Sequence, residues 1–349
     1  METADLAPAT FEGHAISRVI RGGWQLAAGH SGAASSDAVA DLIATADAGI
    51  TTFDCADIYT GVEETIGAFR TAYAEARGEA ALGSVRVHTK CVPDLAALPT
   101  LTKGDVAAII DRSRARLQMD RLDLVQFHWW DVDVPGWQQA AGWLTELAAA
   151  GKIRSVGATN FGARHIRTLL ADGVPLRAVQ VQYSVLDDRP AREMAALGVP
   201  LLAYGTNAGG FLSDRWLEAD EPTQPLENRS LVKYKLIIDD VGGWDVFQNL
   251  LKTLRRVADA HGSDIATVAS RWTLDQRGVA AAIVGARHRA HLARNVAIST
   301  LRLTADDHAA IASARAALTP LVGDVYDLER DRHGRHGAIM KYNLNRSAA

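Results

Sequence analysis

An α/β fold closed into a (β/α)8 TIM barrel is what the sequence predicts, and three observations predict it. Short β-branched runs alternate with longer amphipathic stretches, the runs are almost continuously apolar, and there are eight of them. They are ISRVIRGG, ITTFD, VRVHTK, LDLVQFHW, IRSVGAT, LRAVQVQY, VPLLAYG and VAAAIVG, beginning at Ile16, Ile50, Val85, Leu122, Ile153, Leu176, Val199 and Val279. Between them, stretches such as VEETIGAFRTAYAEAR and TKGDVAAIIDRSRARLQ repeat their apolar residues at a spacing near 3.6, and several end at glycine, as helices do. Near-continuous apolar strands joined by helical crossovers imply parallel pairing.

The rhythm breaks after the seventh strand. Residues 207–243 are rich in Gly, Pro and charge without a clear period, which predicts an irregular loop over the barrel mouth. Helices follow over 244–261 and 265–277, then over 290–297 and 305–318 after the eighth strand. The tail, GDVYDLERDRHGRHGAIMKYNLNRSAA, is polar and basic toward its end, and two paths stay open for it: a surface extension, or a segment folded back over the mouth. One domain over 1–349 is expected, with the barrel over about 16–300 and the C-terminal helix and tail over about 301–349.

Composition bounds the function. With 349 residues, 48% hydrophobic and 22% charged, the chain is long enough to bury one large core. The net charge of −4 and the lack of Lys/Arg runs argue against nucleic acid or an anionic membrane as partner and favour a small molecule. The opening METADLAPAT has no apolar signal-like core and no stretch approaches a membrane span, so a cytoplasmic protein is expected. Oligomeric state is not readable. Cys55 and Cys91 each follow a polar strand-end residue, and alternation along a strand predicts them as buried, inert thiols on the helix-facing side.

The chemistry concentrates at the strand ends. Asp54 and Tyr59 in TTFDCADIY, Lys90 in VRVHTKC and His128 in LDLVQFHWW would meet at one mouth if the strands are neighbours in a barrel. A phenol with a reference pKa near 10 is a poor acid at neutral pH, but a lysine beside it stabilises the phenolate and a carboxylate holds that lysine charged. Such a group could protonate a carbonyl oxygen, with His128 left to orient that oxygen.

These residues in this order, with DCADIYTGVEETIG close to an Asp-x-Ala-Asp-x-Tyr signature, resemble the aldo-keto reductase superfamily over about residues 16–318. The resemblance implies a nicotinamide cofactor and no metal, with Tyr59 as proton donor, Lys90 and Asp54 lowering its pKa and His128 positioning the oxygen. It also implies cofactor contacts: Gly23 and Trp24 after the first strand; Thr159 and Asn160 in GATNF and Gln180 in VQVQY on the nicotinamide carboxamide; and Tyr204 stacked on its ring. Gly205, Thr206, Asn207, Ala208, Gly209 and Gly210 form a small-residue loop that would let the backbone approach the pyrophosphate. AAIVGARHRAHLARNV resembles the adenosine-end element, with Gly285, Arg287, His288, Arg289, His291 and Asn295 in place, although Val284 replaces a proline and Arg294 an acid. An arginine fork suits a 2′-phosphate, so Arg287 points to NADPH, with NADH left open.

Trp24, Trp129 and Trp130 are the expected substrate-binding aromatics, with Phe161 and Trp244 as further candidates, and one of the tandem tryptophans is expected to face the mouth while the other packs outward. The resemblance therefore implies an NADPH-dependent reductase of small aldehydes or ketones. Two alternatives stay open: an NAD-dependent alcohol or sugar dehydrogenase of the same fold, and a nucleotide-sensing regulatory subunit.

Overall fold

Eight parallel strands close into a barrel in chain order, β3 (Val19–Gly22), β4 (Thr52–Asp54), β5 (Arg86–Cys91), β6 (Leu122–Phe127), β7 (Ile153–Thr159), β8 (Leu176–Gln182), β9 (Leu201–Tyr204) and β10 (Val279–Gly285), with β10 pairing back to β3. The structure, a computed structural model, describes residues 9–11, 14–27, 38–223, 225–226, 228–285, 291–340 and 342. Each barrel strand falls within one of the eight apolar runs, except that β5 runs one residue further, to Cys91. An antiparallel hairpin, β1 (Ala9–Phe11) with β2 (His14–Ile16), precedes the barrel and was not expected. Strands of three residues are too short for an alternating pattern to register.

The helices are α1 (Ala38–Asp47), α2 (Val62–Arg77), the short α3 (Glu79–Leu82), α4 (Lys103–Leu117), α5 (Trp137–Ala149), α6 (Ala163–Ala171), α7 (Arg189–Met194), α8 (Arg229–Asp240), α9 (Trp244–Ala260), α10 (Ile265–Leu274), α11 (Leu292–Thr300), α12 (Ala305–Arg315) and α13 (Val325–Arg330). Alternation along each strand divides the core in two. Ile20, Leu124, Ala178, Leu202, Ala281 and Ile283 point inward and plug the barrel floor, joined by Ile16. Their neighbours Val19, Phe53, Val125, Val179, Leu201 and Ala282 point outward into the layer under the helices. Cys55 and Cys91 lie in this outer layer, fully buried and unbridged.

Above the inward apolar layer, the same alternation places polar side chains. Asp54 ends β4, Lys90 pairs in register with Gln126, and Thr159 pairs with Gln180, all toward the C-terminal end of the barrel. That end is where the connections build a mouth.

The segment 207–243 is not the irregular loop its composition suggested. Short 3₁₀ turns at Ala208–Gly210 and Asp214–Trp216 lead into α8, which is N-capped by Asn228 accepting from the Leu231 N–H. Leu231, Tyr234, Ile237 and Ile238 make its buried stripe, a helical spacing hidden in the sequence by the intervening lysines and aspartates. Of the two paths open to the tail, the structure takes the second. The backbone N–H of Gln182, at the end of β8, donates to the Tyr326 hydroxyl at 3.1 Å, and the Leu95 N–H donates to the Tyr342 carbonyl at 3.0 Å, so the tail crosses the mouth from one side to the other.

Helix α2 must cross the C-terminal end of α4 closely, and Gly67 makes this possible: a Cβ there would lie 2.2 Å from the Arg116 carbonyl oxygen. Gly67→Ala is expected to destabilise the fold by about 1–3 kcal/mol, the usual cost of overpacking. Denaturant unfolding measures it, and an unchanged midpoint would mean that the two helices separate freely.

Candidate active site

The turn that carries Tyr59 is held from three sides. Gly61, with φ of +79°, takes the left-handed conformation that lets the chain enter α2 directly after the turn. The buried carboxylate of Glu63, in the first turn of α2, accepts from the Thr89 hydroxyl at 2.7 Å, next to Lys90 on β5. Asp57 accepts from the Val92 N–H at 3.3 Å. Burial pushes both of these carboxyls above their usual range. Gly23 donates its N–H to the Asp54 carbonyl at 2.7 Å, and a Cβ there would meet Val62 and that same oxygen. Its contribution is the close approach of β3 to β4.

At the centre, the Lys90 ammonium donates to both Asp54 oxygens, at 2.6 and 3.0 Å, and to the Cys55 carbonyl at 2.8 Å. Its Nζ lies 5.1 Å from the centre of the Tyr59 ring. Asp54 Oδ2 also accepts from the amides of Gln126, at 3.0 Å, and Gln180, at 2.8 Å. Burial alone would strip the charge from Lys90, but the Asp54 carboxylate, helped by Tyr59, outweighs it and holds the ammonium above its ordinary pKa. Gln126 was missed in the sequence, although a polar residue in the run LDLVQF on the same inward-facing side as Leu124 was the available signal.

Tyr59 differs from expectation. Burial is the largest influence on its hydroxyl and pushes its pKa above the ordinary value; Lys90 pulls it down, while Asp54 pushes it up. Asp54 therefore does not acidify the phenol directly. Its effect runs through keeping Lys90 charged.

His128 is buried and its Nδ1 sits 3.2 Å from the Thr159 carbonyl oxygen. A carbonyl oxygen can only accept, so Nδ1 carries the hydrogen and Nε2 is the acceptor of the neutral ring. Burial, reinforced by the charge of Arg330, drives its pKa down to about 3, so the ring is neutral at physiological pH. A neutral ring in this tautomer suits a hydroxyl donor on the substrate side better than a bare carbonyl oxygen. Trp130 packs edge-on against His128 at 4.5 Å, and Tyr342 of the tail packs on Trp130 at 5.3 Å. Trp24, 37% exposed, packs edge-on against Tyr59 at 4.9 Å. These aromatics rim the mouth. Trp129 does not: it is fully buried in the outer core and donates to the Val134 carbonyl at 3.0 Å. Phe161 is likewise buried, stacked on Phe127, and Trp244 packs in the cluster of Phe211, Trp216 and Phe247. Neighbours on a strand end diverge, so only one tandem tryptophan can face inward.

Of the residues expected at the cofactor, Thr159, Asn160, Gln180 and Tyr204 are brought to the mouth, each with partners of its own. Asn160, with φ of +58°, accepts from the Tyr204 hydroxyl at 2.9 Å through Oδ1, and its amide N–H groups have no partner among the described residues. Those donors fit an acceptor such as a nicotinamide carboxamide oxygen. Gln180 is committed to Asp54, and Thr159 lies 3.5 Å from its Oε1. Tyr204 has the Lys233 ammonium 5.3 Å from its ring centre. Gly205 and Gly209 both have positive φ, but the room they leave is taken by Tyr234 of α8, since added Cβ atoms would fall 1.8 and 2.8 Å from its side chain. The Thr206 hydroxyl pairs with that of Ser270 at 2.8 Å and faces α10, while Asn207 accepts the Gly210 N–H through its carbonyl at 3.0 Å. At the adenosine end, Gly285 abuts Gln25, and Asn295 is buried on α11, which follows directly after His291. Arg294 is paired with Asp264 at 2.8 Å. Arg287, His288 and Arg289 lie outside the described residues. Arg330, which no sequence pattern singled out, donates to the Asn160 carbonyl at 2.9 Å from the tail.

With this geometry in place, the chain belongs to the Aldo/keto reductase family, whose model matches residues 18–316. The members of that family are NAD(P)H-dependent oxidoreductases. Flagellar radial spoke protein 5 of Chlamydomonas reinhardtii is 30% identical over 259 residues, 63% of this chain but 49% of that protein, so the chain spans about half the length of that relative. The chloroplastic pyridoxal reductase of Arabidopsis thaliana is 29% identical over 277 residues, 74% of this chain and 71% of that protein. Among solved structures, a glycerol dehydrogenase from Gluconobacter oxydans superposes with a TM-score of 0.75 at 22% identity, covering 93% of this chain and 99% of that one, a likeness of fold.

The depressed pKa of His128 has a measurable consequence. Unfolded, the ring takes up a proton below about pH 6.5, whereas folded it stays neutral down to about 3. The stability it contributes is therefore fully present above 6.5 and declines as pH falls toward 3. Urea unfolding of wild type and His128→Gln across this window is expected to show the steeper acid decline in wild type; parallel curves would contradict the buried neutral ring.

Proposed function

We propose that the protein is an NADPH-dependent oxidoreductase that reduces a small aldehyde or ketone to the alcohol, with Tyr59 as the proton donor. The observation that carries this reading is the buried Lys90 ammonium, fixed by Asp54 and lying against the Tyr59 ring. Membership of the Aldo/keto reductase family supports the reaction class.

A bound reduced nicotinamide supplies the hydride that adds to the carbonyl carbon. Asn160 and Thr159 would hold its carboxamide, and Tyr204 would support its ring. The raised pKa of Tyr59 keeps the phenol fully protonated at neutral pH, which a proton donor requires. As negative charge develops on the substrate oxygen, Tyr59 gives up its proton and Lys90 stabilises the phenolate left behind. His128, neutral, accepts through Nε2 from the hydroxyl so formed. Trp24 and Trp130 exclude water and give the mouth an apolar rim, consistent with an uncharged carbonyl carrying an apolar or ring-shaped body, such as the pyridoxal class named in one relative.

The preference for NADPH rests on the cationic side chains of 287–291, with Arg287 as first candidate for the 2′-phosphate. NADH is the competing cofactor, and titrating the protein with both nucleotides decides between them. A purely nucleotide-sensing role is disfavoured by four intact tetrad side chains, of which Lys90, Asp54 and His128 are anchored by hydrogen bonds.

Tyr59→Phe removes the proton donor and leaves the cofactor cleft intact. Its NADPH-coupled turnover on a panel of aldehydes and ketones is expected to fall by about 10²- to 10⁴-fold, the usual share of general-acid catalysis, with nucleotide affinity retained. Undiminished turnover would overturn the assignment.

A further inference from the structure

One largely covered charge at the mouth plays no part in the chemistry above. Lys233 of α8 forms an ion pair with Glu329 of α13 at 2.5 Å, the side chains being 17% and 8% exposed. Among the described residues Glu329 is its one ion-pair partner. Its ammonium also lies over two rings, 5.3 Å from the centre of Tyr204 and 5.8 Å from that of Tyr234. Tyr234 packs directly on Gly205 and Gly209, so α8 lies across the small-residue loop after β9 and delivers the lysine beside it.

We propose that Lys233 is a ligand for the nucleotide pyrophosphate and that Glu329, on the C-terminal strap, competes with the nucleotide for it. The inference rests on the nicotinamide-nucleotide reading of this cleft. A lysine taken out of water requires an anion, and a three-donor ammonium can exchange one carboxylate for a phosphate oxygen. The carboxylate comes from a six-residue helix held to the barrel by the Gln182 N–H on the Tyr326 hydroxyl, by Arg330 on the Asn160 and Trp129 carbonyls and by Arg164 on Asp327, with Val325 and Tyr326 buried beneath it. Beyond it, the His336 ring and Arg335 meet Asp240 at the end of α8, so the strap and the lysine-bearing helix are joined at both ends. Release of Lys233 requires the Glu329 carboxylate to leave it, by a turn of its own side chain or by a shift of the strap away from α8.

Opposite signs test this. Nucleotide affinity is measured by quenching of tryptophan fluorescence with NADPH and with NADH. Lys233→Met is expected to weaken both by about 10- to 100-fold and by the same factor, because the pyrophosphate is common to both. Glu329→Gln is expected to tighten both several-fold, and Lys233→Arg to restore most of the loss. A purely structural latch predicts that the two variants shift affinity in the same direction or leave it unmoved, and either result overturns the proposal. So would a changed KM for the carbonyl substrate with nucleotide affinity intact. Should Glu329→Gln fail to fold, Tyr326→Phe loosens the same strap and is expected to speed nucleotide association; an unchanged or slower rate counts against the idea. If wild type binds neither nucleotide, the cofactor reading fails first, which separates the two outcomes.

Discussion

The buried contact between Lys90 and Asp54 is the constraint on which the rest of the site depends. Both side chains are almost fully withdrawn from water, and an isolated charge of either sign could not remain there. Asp54 answers by collecting donors from three other strands, Lys90 on β5, Gln126 on β6 and Gln180 on β8. Removing one member of such a pair typically costs about 3–5 kcal/mol, because the remaining charge is left uncompensated. The barrel serves this network well, since closure brings the C-terminal ends of strands distant in sequence within hydrogen-bonding reach.

The same contact sets the electrostatics of the phenol. Lys90 draws the Tyr59 proton toward dissociation, but burial and the Asp54 carboxylate oppose it, and the balance leaves the hydroxyl protonated. In the proposed reaction, a phenol in this condition holds its proton until negative charge builds on the substrate oxygen. Glu63 and Asp57 matter here through geometry. By tying the turn before α2 to β5 and its extension, they keep the Tyr59 ring over the ammonium.

Around this rigid centre the mouth is built from connections and not from strands. Helix α8 presses Tyr234 onto the glycines after β9, and the tail lays Tyr326, Glu329, Arg330 and Tyr342 across the ends of β6 to β9. The two segments are joined to one another by ion pairs at Lys233 and at Asp240. The Lys90–Asp54 network thus rests on the closed sheet, while the rim of the mouth is built from elements outside the strand ladder.

The eight apolar runs were enough, by themselves, to predict the barrel, and alternation within them predicted that Asp54, Lys90 and His128 share a mouth while Cys55 and Cys91 turn outward; that Trp129 and not Trp130 is the outward member of the tandem pair came from the structure. These are local properties, carried by spacing along one strand. Only the tertiary structure decided that Gln180 belongs to Asp54, that Asn160 is already bonded to Tyr204, that a tyrosine from α8 fills the glycine loop, and that the polar tail returns over the mouth. Each of those depends on which distant segment packs on a given surface, a matter of contact between elements for which neither periodicity nor residue type carries a mark.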